Sequence, residues 1–303
     1  MLEEKLNYKK GNMGRNLIPS HRKIMERKKS IFLKILLVIG FLIFFYPNIS
    51  DYVNSFTQTR GIINYEKSLD EFSKIDIQKI KDEASLYNRK IFEEKDAIYY
   101  PNLVHGYKEN LNPFDDGMMG YIKIKKIGVY LPIYHGVNEG VIQKGVGHLP
   151  GTSLPVGGAS THACLTTHSG LPSAKLFTDL HKLDIGDKFI VSVLGEDLYY
   201  QVIHKETVLP KNVEPLKVSA GKDYVTLFTC TPYGINTHRL LVRGERIYPP
   251  KSSKGKEAKE EVKKNMFLTI IKLVLMFGLI IIIILSIIKD FIYLKKEKSL
   301  SEK

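Results

Sequence analysis

Two apolar runs bracket a finely patterned middle. Residues 31–46 read IFLKILLVIGFLIFFY and end at Pro47. That run is short for a membrane span, but Lys34 lies in its first turn and can extend its amine towards headgroups. Residues 266–288 form a second run, long enough to span with some tilt. Between them, residues 65–94 have helical spacing, with Leu69, Phe72, Ile75, Ile80, Leu86, Ile91 and Phe92 as the apolar face. From Gly120 the period shortens to two. Ile122/Ile124 and Val129/Leu131 alternate, and residues 161–167, 188–194, 198–204, 224–229 and 240–247 read as further short strands. Residues 145–158 are dense in glycine and proline, Gly195-Glu196-Asp197 reads as a hairpin turn, and 173–183 as one short helix. Many short strands with one or two helices predict a mainly β fold, a closed or nearly closed barrel.

Charge refines this organisation. The formal net charge is +13, but residues 1–30 and 251–303 carry +6 each, leaving +1 for the middle. Basic tails beside apolar runs point to membrane topology and away from nucleic acid. Arg27, Lys28 and Lys29 precede the first run, so the N-terminus is expected to be cytoplasmic and the chain to leave the cell at Pro47. Residues 48–51 lack a small-residue cleavage motif, which favours an uncleaved anchor over a signal peptide. The second run then returns inward. The expected layout is a basic tail (1–30), a span (31–47), an extracellular helical region (48–118), a barrel (119–250), a charged tether (251–265), a span (266–288) and a basic tail (289–303). The catalytic region is extracellular and both termini are cytoplasmic.

The chain has two cysteines, Cys164 and Cys230, too few for a disulfide scaffold. No C-x-x-C or H-x-x-x-H spacing suggests a metal, and none is expected. Cys230 closes the strand-like run 224–229 and is followed by Thr231-Pro232-Tyr233-Gly234, among polar neighbours unlike those of a packing cysteine. A thiol nucleophile needs a base or cation nearby. Of nine histidines, His168 ends a strand and precedes Ser169-Gly170, at a barrel rim. Acyl chemistry also needs donors aimed at the oxyanion. Arg239 and Arg243, four residues apart on a strand, share a face, and Arg239 lies on the rim side.

Together these segments resemble the sortases. Thr226-Leu227-Phe228-Thr229-Cys230 matches the family's Thr-Leu-x-Thr-Cys signature, Arg239 falls where its essential arginine follows, and Thr167-His168 ends a strand as its catalytic histidine does. The stretch 230–244, Leu131-Pro132-Ile133-Tyr134-His135-Gly136 and Gly170-Leu171-Pro172-Ser173-Ala174-Lys175-Leu176-Phe177 are similar to the class C, pilus-assembling branch. The resemblance runs from about Tyr87 to Tyr248. It implies an eight-stranded sortase barrel with Cys230 as nucleophile, His168 as general acid/base and Arg239 stabilising the oxyanion. It further implies cleavage of an LPxTG-type sorting signal at Thr–Gly, a thioester on Cys230, and transfer to a pilin lysine or a cell-wall amine, without a cofactor. Cys164 is expected to stay a free thiol.

Class C sortases carry a lid with an Asp-Pro-aromatic tripeptide. Here the matching segment, 94–101, contains Asp96-Ala97-Ile98-Tyr99 without the proline. Asp96 is expected to meet Arg239, and Tyr99 to cover the thiol. The alternatives are a sortase that anchors surface proteins to the wall, a hydrolytic cysteine peptidase, and a membrane-tethered binding module with no catalysis.

Overall fold

The computed structural model describes residues 21–171, 173–248 and 256–301. Its helices are α1 (His21–Leu69), α2 (Lys74–Glu93), α3 (Glu139–Ile142) and α4 (Lys256–Ser301). Its strands are β1 (Met118–Ile124), β2 (Val129–His135), β3 (Val146–His148), β4 (Thr161–Thr166), β5 (Lys188–Val193), β6 (Glu196–Val208), β7 (Asp223–Thr231) and β8 (His238–Ile247). Two compact units result, residues 1–46 with 269–303, and residues 47–268.

In the first unit α1 and α4 run together. Both are long and apolar enough to cross a membrane, over Lys23–Leu69 and Val274–Ser299. They are joined by charge: Lys34 Nζ lies 2.6 Å from Asp290 Oδ2 and 2.8 Å from Ser286 Oγ. Arg27 lies 3.0 Å from the other Asp290 oxygen and stacks on the Tyr293 ring at 3.5 Å. An unpaired charge among apolar side chains is costly, and here one carboxylate serves two bases. Helix α1 does not stop at Pro47, as the sequence suggests, but continues to Leu69 with the proline inside it. A proline there removes one backbone hydrogen bond and kinks a helix without having to end it.

The second unit is a closed barrel in the order β1-β2-β3-β4-β7-β8-β6-β5. The expected eight-stranded barrel is present. The helical stretch predicted over 65–94 is divided: α1 ends at Leu69, and Ser73 with Asp76 caps α2 in a reciprocal capping box. The break rotates the apolar face. Ala84, Tyr87, Asn88 and Ile91, at i, i+3, i+4 and i+7, are buried, whereas Ile75 and Leu86 are exposed. Tyr65 on α1 donates to Met119 O (2.9 Å) and accepts from Leu194 N (3.1 Å), so the helical layer covers β1, whose seven residues are buried on both faces.

Strand β3 lies inside the stretch dense in glycine and proline. It is three residues long and pairs parallel to β2, too short for its alternation to show. Residues 173–183 form successive turns and one 3-10 turn, Leu180–Lys182, instead of a helix. Those turns fully bury Phe177, Leu180 and Leu183. The β5–β6 hairpin turns at Leu194-Gly195, both at positive φ (50° and 78°), one position earlier than expected.

Candidate active site

Strands β4 and β7 are parallel neighbours, with Thr161 opposite Asp223 and Thr166 opposite Phe228. The offset of 62 carries on past the ladder and sets His168 beside Cys230. Strand β8 pairs antiparallel on the other side of β7, with Cys230 opposite Arg239. Residues in register share a face, so Cys230 and Arg239 share one, and His168, two residues beyond the end of β4, follows them by the continued offset. Leu165, Leu227 and Val242 fill the barrel interior. By the strand period the row belongs to the outward face.

Backbone pairing between β4 and β7 ends at Thr166, and side-chain hydroxyls take over. Thr166 Oγ1 donates to Phe228 O (2.9 Å), Thr229 Oγ1 to Thr167 O (2.7 Å) and Ser169 Oγ to Cys230 O (2.7 Å). These threonines and the serine extend the strand pairing to the two residues of interest. The backbone of His168 is also held, its carbonyl accepting from Phe177 N at 3.1 Å. Its Nε2 lies 3.0 Å from Glu139 Oε1 at the start of α3. Gly170, at φ +79°, lies under Tyr233, where a Cβ would come within 2.6 Å of the ring. Arg239 donates to Asn236 O (3.2 Å) and His238 O (3.0 Å) on the β7–β8 turn.

Four residues further along β8 a second row lies on the same face: Cys164, Thr226 and Arg243. It sits beneath the β6–β7 connection, residues 209–222, and takes hold of it. Arg243 donates to Pro215 O, Cys164 Sγ approaches Leu216 O at 3.8 Å, and His162 Nδ1 pairs with Lys217 O at 2.9 Å. Three successive carbonyls are thus each met by a side chain from the barrel. His162 Nε2 also meets Thr226 Oγ1 at 2.7 Å. Burial pushes His162 down to about 4, with the Arg243 charge adding to it, and pushes the Cys164 thiol up. Both cysteines are free, Cys164 buried and Cys230 half-buried.

The segment 94–101 lies against this covered row. Ile98 packs on the patch formed by Cys164, Val208, Leu216 and Leu241. Ala97 is buried beside Gly151, at φ +80°, where a Cβ would fall 2.2 Å from the Ala97 carbonyl oxygen. The Tyr99 hydroxyl donates to Glu214, and Lys217 lies over the Tyr99 ring at 5.0 Å. The expected contact of Asp96 with Arg239 is not formed, and Tyr99 turns to Glu214 rather than to the thiol. A carboxylate flanked by Lys217 is a stronger partner for a phenol than an apolar thiol surface. Asn112-Pro113-Phe114, which also sets a proline before an aromatic, packs elsewhere, with Phe114 edge-on to Tyr65 and Phe72. Glu139 went unnoticed in the sequence. Its signal is Asn138, a helix N-cap residue just after Gly136, followed by an acid in the first turn.

Residues 122–247 match the sortase domain family. Among solved structures, the chain is similar to sortase C1 from Streptococcus agalactiae (44% identity, 63% of this chain and 100% of that one, TM-score 0.58). It is similar also to Clostridium perfringens sortase C solved with the C-terminal cell wall sorting motif (41% identity, 63% and 100%, TM-score 0.56). Sortase A of Streptococcus agalactiae serotype III is 28% identical over 131 residues, 42% of this chain and 52% of that protein. The chain thus aligns with about half the length of that relative.

Proposed function

The chain belongs to the sortase family, with class C members as its structural neighbours, and on that premise we propose that it is a transpeptidase that cleaves an LPxTG-type sorting signal and polymerises pilins. Cys230 is the nucleophile, His168 the general acid/base and Arg239 the cation for the oxyanion. The observation that carries this is the register that sets Cys230 opposite Arg239, with the offset of β4 against β7 leading on to His168.

In the first step the Cys230 sulfur bonds to the threonine carbonyl carbon and the Thr–Gly C–N bond breaks. His168 gives its proton to the leaving amine. Arg239, released from the Asn236 and His238 carbonyls, donates to the tetrahedral oxygen, where such a donor is worth roughly 3–4 kcal/mol. In the second step a lysine amine of a second pilin attacks the thioester, the C–S bond breaks, and the amine's proton returns to His168. The thioester conserves the energy of the peptide bond, so the chemistry is complete without a cofactor. The relative solved with a cell wall sorting motif supports this substrate class.

Segment 94–101 is, on this reading, the lid. It lies against the covered row, latched by Tyr99 to Glu214. The two apolar helices anchor the enzyme from both ends, with the barrel outside the cell and both termini inside.

The test is a thioester trap. Detergent-solubilised full-length protein is mixed with a sorting-signal peptide and intact mass is recorded, with Cys230→Ala as control. A peptide adduct on Cys230, released by an added amine, is expected. No adduct from any LPxTG-type peptide would overturn the assignment. Mass spectrometry of the product names the acceptor, a pilin lysine or a wall amine.

A further inference from the structure

We infer that Glu139 is the positioning residue of His168, an assignment that rests on His168 being the acid/base proposed above. The contact is built, not incidental. Helix α3 starts at Asn138, whose side chain accepts from Val141 N at 3.1 Å. At the far end of α3, Thr167 Oγ1 donates to Ile142 O at 2.7 Å, tying the helix to the residue just before His168. Within that frame Glu139 Oε1 takes Nε2 of His168 at 3.0 Å and the Gln143 amide at 2.7 Å. The Gln143 bond first, and the histidine second, hold the Glu139 carboxyl below the usual carboxylate range, so it is charged at neutral pH.

The consequence is a choice of nitrogen. With Nε2–H given to the carboxylate, Nδ1 is the atom left to exchange a proton with Cys230 and the leaving amine. A carboxylate on the remote nitrogen fixes the ring and favours the imidazolium that the first step consumes. The other ionisable groups around His168 are Cys230 and Arg239 in its own row and Tyr233 over Gly170. Lys175, in the turns that follow, is paired with Asp179 at 2.9 Å. None of these is a carboxylate free to replace Glu139.

Glu139→Gln keeps the hydrogen-bonding shape and removes the charge. In full-length protein labelled with [13C]histidine, the His168 resonance is identified by its loss in His168→Asn. We expect it to titrate at lower pH in Glu139→Gln than in the parent. The kcat for peptide transfer should fall roughly two- to fivefold with KM unchanged, the size of a partly exposed ion pair. Glu139→Asp should recover part of both. A purely structural role would leave the titration where it was. An unmoved resonance, or a moved one with full kcat, would overturn the assignment to Glu139 while leaving His168 in place. Full activity in His168→Asn would instead overturn the reading of the site itself.

Discussion

Two rows on one face of the barrel carry nearly the same chemistry and meet opposite fates. Cys164, Thr226 and Arg243 lie under the β6–β7 connection; His168, Cys230 and Arg239 lie just past its edge. Each row has a thiol on a strand and a guanidinium on β8. In the covered row the arginine and the thiol are spent on the Pro215 and Leu216 carbonyls, and burial makes the thiol a poor nucleophile. In the open row the thiol is half-exposed and the arginine rests on a surface turn. The difference lies in the lid of chain above each row and not in residue type. A motif that lists cysteine and arginine therefore says little until the connection above them is placed.

The largest expected effect separates the thiols. Cys230→Ala should lower transpeptidation to background with an unchanged melting temperature, because its half-exposed side chain packs little. A small thiol reagent should label the parent once, at Cys230, and Cys164 only after denaturation. Labelling of Cys164 in the folded protein would break the comparison between rows. Next come the arginines. Arg239→Lys should cost roughly 3–4 kcal/mol in kcat/KM, since an ammonium cannot reproduce the planar fork. Arg243→Lys should be mild in kcat and should lower stability by about 1–3 kcal/mol through the unmet Pro215 carbonyl. The reverse ranking would move the oxyanion role to the covered row.

The pH dependence of stability sharpens the contrast further. His162 is pushed down to about 4 by burial, against about 6.5 in an unfolded chain. The unfolded state then binds the proton more readily, so this contribution is complete above about 6.5 and is lost as pH falls towards 4. It amounts to about 3 kcal/mol. His148, pushed to about 3 by complete burial, acts in the same direction. Denaturant midpoints measured from pH 7 to 4.5 should fall, and His162→Asn should flatten part of that slope. An unchanged slope would mean that the covered row is open to water. The smallest effect concerns the segment above it. Asp96→Ala with Tyr99→Ala should speed Cys230 labelling a few-fold, because the Glu214 latch is lost. Equal rates would make 94–101 an ordinary connection.

The barrel was readable from alternation because most of its strands are long and amphipathic. Strand β3 was not, since three residues, one of them glycine, carry no period. The face of α2 was misassigned for a related reason: the capping box at Ser73 resets the helical phase, and a window across it averages two helices. Cys230, His168 and Arg239 could be singled out because they sit at strand ends among polar neighbours. Their alignment can be argued only once β4 is known to lie parallel to β7. The anchoring of residues 215–217 by Arg243, Cys164 and His162 was beyond reach, because backbone carbonyls leave no mark in a sequence. The bond from Tyr99 to Glu214 spans 115 residues and has no local signal either.

The ion pair between α1 and α4 has a consequence in time. Lys34 and Asp290 are 256 residues apart, so the ribosome releases the base long before the acid that neutralises it. At a synthesis rate of about 5–20 residues per second, that interval is roughly 13–50 s. Throughout it the first helix lacks the carboxylate that Lys34 and Arg27 share. A chain cut short anywhere before Asp290 is therefore left without the carboxylate that Lys34 and Arg27 share.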